Sequence, residues 1–191
     1  MASMAKDHDD VTAHWARRIL DFWFKELGES GWWTKSDRID ATCMARFSAS
    51  WHDLRVEPSD MFLQRADEAL AAVILFDQMP RNMFRHEARA FETDPLARDI
   101  ARGAVAKGYD VQIGGAGRMF FYMPFQHSEA LEDQQLSLTL FEGLDDTEAL
   151  AFARKHHDVI ARFGRFPHRD AMLGRTTAPE EEEAARLGAQ W

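Results

Sequence analysis

The chain of 191 residues holds a single cysteine, Cys43, so no disulfide can close within it. Such sparing use fits a reducing compartment. Cys43 sits in an apolar-patterned helical run with no apparent basic activation and reads as a structural thiol. Nowhere do about 18 apolar residues run together, the length a membrane-crossing helix needs. The opening run Met1 to Asp10 is polar, with no apolar stretch leading to a small-residue cleavage site. No signal peptide and a cytosolic location are therefore expected, with no membrane partner. Positive charge is in deficit: Lys and Arg total 23 against 32 Asp and Glu, a formal net charge of −9. A general nucleic-acid binder needs the opposite sign. Strand-like alternation never lasts beyond a few residues.

What is present is apolar spacing of the helical kind almost throughout, which predicts an all-α single domain over 1–191 whose first ten residues are flexible. About seven helices follow from the pattern. The first spans about Val11 to Leu27 and buries Trp15, Ile19, Phe22 and Trp23, and Gly28 stops it. Ser36 is placed to cap a second, about Asp37 to Leu54. A third runs from about Asp60 to Phe76, where Pro80 kinks it or starts a new turn. Thr93 or Asp94 with Pro95 opens a fourth, ending at Gly108. The stretch Gly108 to Met123 is the least regular; its glycines lack the strand and the Lys-Ser/Thr pair of a phosphate loop and read as a plain connector. Pro124 begins a fifth, carrying Leu131, Leu138 and Phe141. Asp145 with Glu148 resembles a capping box for a sixth, ending at Phe163 before Gly164. Thr177 with Glu180 caps a last, acidic helix. Short connections favour antiparallel hairpins.

Polar side chains interrupt this pattern in three places. On the third helix Leu70, Val73 and Ile74 point inward, and the next inward position is Asp77, followed by Gln78, Arg81 and Asn82. A buried carboxylate needs a partner, and Arg81 is the nearest, four residues on. Further along, His127 shares a helix face with Leu131, Gln134 and Leu138, next to Gln126, Ser128 and Glu129; Glu129 and Asp133 are expected to meet solvent or an arginine. In the third place His156 shares a face with Phe152, Val159, Ile160 and Phe163, and His157 lies beside it. The Gly164 stop then delivers Arg165, His168 and Arg169 in a tight turn, with Arg175 beyond. Eighteen of the 23 cationic side chains are arginine, suited to bidentate recognition of carboxylate or phosphate.

The runs Phe76-Asp77-Gln78-Met79-Pro80-Arg81-Asn82, Met123-Pro124-Phe125-Gln126-His127-Ser128-Glu129 and Arg162 through Arg169 occur together and in this order, after an opening Ile19-Leu20-Asp21-Phe22-Trp23-Phe24. On these runs the sequence resembles the family catalogued as domain of unknown function nine hundred and twenty-four, from about Ala16 to Leu187. The resemblance implies helical hairpins similar to tetratricopeptide-repeat proteins and no settled activity. It points to Asp77, Gln78, Arg81, Asn82, Gln126, His127, Ser128, Glu129, His157, Arg165, His168 and Arg169. One departure is Asp170, where asparagine is expected after His-Arg; a carboxylate there weakens an anion site.

The functional expectation is a polar cleft in which Arg81, Arg165 and Arg169 bind a small anionic ligand while His127 and His157 serve as acid or base. Hydrolysis is a candidate reaction, although Ser128 lacks the setting of a nucleophilic serine. Alternatively, the helices scaffold a groove for a peptide, its terminal carboxylate clamped by arginines. His127, His156, His157, His168 and Glu129 include the right types for metal, but their spacing matches no helical ligand pair, and neither a metal nor a cofactor is assigned. The same residues can also form a polar network that only locks the helices together.

Overall fold

A computed structural model describes residues 14–188. The N-terminal ten residues and the start of the first helix at Val11 lie outside them. The described residues are helical, with no strand, and fall into two compact units. The first comprises 14–85 and 89–121, the second 86–88 and 122–188.

In the first unit, α1 is α-helical over 14–20 and continues as a π-helical stretch, Asp21–Leu27, that buries Phe22 and Trp23. Gly28 ends it with φ +66° and donates its N–H to the Trp23 carbonyl five residues back. That carbonyl also accepts the Trp32 indole N–H at 2.8 Å. Trp32 closes the short α2 (Glu29–Trp32), so the tryptophan connector ties back onto α1. Helix α3 (Asp37–Leu54) spans the expected bounds and buries Ile39, Cys43, Phe47 and Trp51. Their four-residue spacing makes one stripe. Ser36 stands at its N-cap in an extended conformation, yet its hydroxyl makes no capping bond.

The expected third helix is divided. A 3-10 turn, Ser59–Leu63, precedes α4 (Ala66–Val73), which passes into a second π-helical stretch, Ile74–Gln78, and then α5 (Met79–Met83). The helical path therefore continues through Pro80. In an α-helix the Phe76 carbonyl would accept from residue 80, and proline has no N–H to give. Thr93 supplies the donor instead: its hydroxyl reaches the Phe76 carbonyl at 2.7 Å and accepts the Trp51 indole N–H at 3.1 Å. Thr93 is the N-cap residue of α6 (Asp94–Ala106), whose Ala97, Ile100, Ala101 and Ala104 are buried. Phe62 and Phe76 meet edge to face at 5.4 Å. Each such fully buried ring contributes roughly 1.5–3 kcal/mol.

The glycine-rich stretch is a correction to the sequence reading. It is not a connector but two helices, α7 (Tyr109–Ile113) and α8 (Gly115–Gln126). Gly117 lies inside α8 because a Cβ there would stand 2.5 Å from the Ile113 side chain and 3.2 Å from Leu70. The glycine marks close packing rather than a loop. Pro124 is likewise inside α8, in its last turn, and does not open the next helix.

In the second unit, which takes up α8 from Tyr122, the next helix is α9 (Leu131–Glu142) and then α10 (Thr147–Phe163). Their short connection makes them an antiparallel hairpin, compatible with tetratricopeptide-like packing. The α10 cap is Asp146, whose carboxylate accepts from Glu148 N (3.1 Å) and Ala149 N (2.9 Å). Gly164 ends α10 at φ +68°. A 3-10 turn, Pro167–Arg169, follows, and α11 (Glu182–Gly188) packs back against it.

Candidate functional site

The three polar runs divide between the units. Asp77, Gln78, Arg81 and Asn82 belong to the first; Gln126, His127, Ser128, Glu129, His157, Arg165, His168 and Arg169 belong to the second.

In the first unit the π-helical stretch turns Asp77 and Gln78 inward, and both are buried. The Gln78 amide donates to the Asp77 carboxylate. Arg81 donates to the Asp77 carbonyl and lies 3.5 Å from its carboxylate. Its other partner is Asp94 at the start of α6, gripped end-on by both terminal nitrogens at 3.0 Å each. Asn82 donates to Asp40 of α3 at 2.9 Å, and Arg85 grips the same carboxylate at 2.6 and 2.7 Å. Arg81, Asn82 and Arg85 are thus tied to α6 and α3, while Asp77 and Gln78 pair within their own helical path. Asp40 also sits close to Cys43, whose thiol is pushed up to about 12, chiefly by burial and next by the Asp40 charge.

In the second unit the C-terminus of α8 is held from α9. The Gln134 amide donates to the carbonyls of Gln126 (2.7 Å) and Ser128 (2.6 Å). These carbonyls have no intrahelical partner at a helix end. The Ser128 hydroxyl donates to Asp133 at 2.7 Å, so Asp133 is buried rather than turned to solvent. Glu129 does meet an arginine, Arg175, in an end-on pair at 2.8 and 2.9 Å, and accepts the Phe166 N–H at 2.8 Å. Burial works against its charge, but Arg175 and the Phe166 N–H outweigh burial and hold it below the usual carboxylate range.

Asp170, fully buried, lies 2.8 Å from Arg175 and 3.7 Å from Arg165. Arg165 reaches onward to Glu181, at 3.0 and 2.6 Å, and to the Thr176 carbonyl. The carboxylate at position 170 thus serves two arginines of its own unit.

Phe166 is fully buried, and imidazole and guanidinium side chains gather round its ring. His156 meets it edge-on at 5.5 Å, His168 lies at 5.6 Å, and the Arg169 guanidinium is 4.4 Å from the ring centre. His127 is 6.2 Å from His156. The Nδ1 of His156 is 2.8 Å from the Phe152 carbonyl, which assigns the proton to Nδ1, and Gln126 approaches the same nitrogen at 3.2 Å. Burial, and then the positive neighbours His127, Arg169 and His168, lower the His156 pKa to about 3. It is a neutral imidazole at ordinary pH.

The structure therefore pairs His127 with His156. His157 points away from this group, with Nδ1 3.3 Å from Asp158. His156 was visible in the sequence on the inward face of α10; Asp40, Asp94, Thr93 and Glu181 carried no signal beyond capping or solvation. Among the described residues, no group of His, Cys, Asp or Glu side chains is placed to hold a metal ion, and no helix is long and apolar enough to cross a membrane.

The fold and these polar clusters define an all-helical protein with buried ionic networks. The chain belongs to the family described as bacterial protein of unknown function, DUF924, which matches residues 19–188. A solved structure of a protein of unknown function from Agrobacterium tumefaciens, ATU0120, is similar to it: 39% identical, covering 93% of this chain and 99% of that one, with a TM-score of 0.86. No curated protein matches the chain.

Proposed function

We propose that the second unit binds a small anion, a carboxylate or phosphate, at the group formed by His127, His156, His168 and Arg169 around Phe166. The observation that carries this reading is the convergence of two imidazoles and a guanidinium on one buried ring, with His127 standing 6.2 Å from one of those imidazoles. The depressed His156 pKa supports it, because part of that depression comes from positive neighbours. An anion brought among them would relieve the same repulsion. Glu129 and Asp170 are gripped by Arg175, and Glu181 by Arg165, while Arg169 adds to the positive field at Glu129. On this reading Arg81 and Arg165, first expected to clamp the ligand, hold the helices together, and Arg169 with the histidines meets the ligand. The neutral His156, oriented by Phe152 through Nδ1, presents Nε2 as an acceptor for a hydroxyl or a protonated phosphate oxygen of the ligand. His127 is the candidate acid or base, since an imidazole titrates near neutrality.

The test is thermal and urea unfolding in phosphate, sulfate, acetate and citrate at constant ionic strength. An anion at a hundred times its dissociation constant adds about 2.7 kcal/mol of stability. That gain should disappear in Arg169→Gln and in His168→Asn, each checked for fold by circular dichroism. No stabilisation by any anion, or an equal gain in the variants, overturns the reading.

A further inference from the structure

A second feature of the same unit lies apart from the polar runs. Helices α10 and α11 face each other across a groove of about 360 Å3. Its apolar lining comes from Val159 and Phe163, one turn apart on α10, and from Ala184 and Leu187, one turn apart on α11. Leu187 is 41% exposed.

The rim carries the sign of the partner. Asp158, Glu180 and Glu183 line the groove against one cation, Arg162. Arg162 lies over the Phe163 ring at 4.7 Å, covering the apolar lining rather than pairing with a rim carboxylate. The Asp158 side chain is 80% exposed and meets only the edge of His157. Glu183 holds Arg186 in a largely solvated pair of little energetic weight. Counting Arg186 with its partner Glu183, three carboxylates face two guanidiniums, and the rim is net negative. Glu181, by contrast, is buried on Arg165 and takes no part.

From this we propose that the groove between α10 and α11 docks a basic amphipathic segment of a partner protein. Two apolar side chains of that segment, one helical turn apart, enter between Phe163 and Leu187. Flanking Lys or Arg side chains meet Asp158, Glu180 and Glu183. The recognition is of the helix-in-groove kind, and the charge pattern acts mainly on the rate of encounter and on the choice of partner. Anionic partners are repelled by the same rim. So small a surface suits a transient complex.

The experiment is fluorescence anisotropy of the full chain against a labelled 14-residue peptide of Leu and Lys at helical spacing, with a Leu/Glu peptide as its counterpart. The Lys peptide should bind at least tenfold more tightly than the Glu peptide, and less tightly as salt rises from 50 to 200 mM. Leu187→Asp, and separately Glu180→Lys with Glu183→Lys, should each weaken binding tenfold or more. A charge-matched control, Glu29→Lys with Asp53→Lys, should leave it unchanged. Circular dichroism and the melting temperature verify that each variant folds. Absence of binding, equal binding by the groove variants, or an equal loss in the control overturns the proposal. So does a dimer in sedimentation that Leu187→Asp dissociates, which assigns the groove to a second copy. A chain ending at Gly188 that binds tenfold tighter than the full chain assigns it to the chain's own last residues, and likewise overturns it.

Discussion

Acid should destabilise this protein through one histidine, by an amount the structure sets. His156 titrates near 6.5 in an unfolded chain and at about 3 when folded, chiefly because burial opposes its charge. Between those values the unfolded state binds a proton that the folded state refuses, so stability rises with pH. The contribution is whole above about pH 7 and drains away as pH falls through 6.5 towards 3. Each pH unit inside that window is worth about 1.4 kcal/mol. From pH 6.5 to 4.5 the integrated loss is about 2.3 kcal/mol, a large share of a typical folding stability of about 5–15 kcal/mol. Glu129 and Glu181 have folded pKa values below 4.5, so their contributions are lost only in stronger acid. The variant His156→Asn keeps an amide N–H able to reach the Phe152 carbonyl and cannot titrate. Urea unfolding followed by tryptophan fluorescence, at half-unit steps from pH 4.5 to 7.5, gives both stability curves. They should diverge in slope by about 1.4 kcal/mol per unit below pH 6, with the variant flatter. Parallel curves would refute a neutral, buried His156.

Two further outcomes follow from the first unit. Arg81→Leu strips the guanidinium from the fully buried Asp77 and from Asp94, and breaking a buried pair on one side costs about 3–5 kcal/mol; a melting temperature within a degree of the native one would contradict the network. Thr93→Val keeps the shape but leaves the Phe76 carbonyl without its side-chain donor and the Trp51 indole without its acceptor, a loss of about 1–3 kcal/mol for each group in chemical denaturation. A loss well below 1 kcal/mol in total would show that other groups satisfy them.

Much of the fold was legible because it depends on local spacing. The stripe Ile39, Cys43, Phe47, Trp51 announces α3 with correct bounds, and Gly164 announces the end of α10. The stretch after Gly108 was misread because glycine is as useful for close helix packing as for turns, and only the Leu70 and Ile113 side chains beside Gly117 tell which. The polar runs were legible as a set, as was the need of Asp77 for Arg81. Their remaining partners were not. Asp40 and Asp94 read as ordinary first-turn acids, and nothing in the sequence says that Arg85 and Arg81 will reach them. The same holds for His127 and His156, which lie on different helices; helical phase distinguishes His156 from His157, but only the packing of α10 shows which of the two faces His127.

The two π-helical stretches set how this chain tolerates changes in length. A π turn is an α-helix carrying one extra residue. Removing a residue from Asp21–Leu27 or Ile74–Gln78 would let either stretch close into regular α-helix, which intrinsic preference favours. It would also rotate everything after the deletion by about 100°. The carbonyls of Trp23, Phe76 and Asp77, now claimed by Trp32, Thr93 and Arg81, would turn away from those donors. A locally more regular helix would thus be bought with the anchoring of α2, α5 and α6. Homologous chains should accordingly gain and lose residues in the connections between helices and keep the length of these two stretches unchanged.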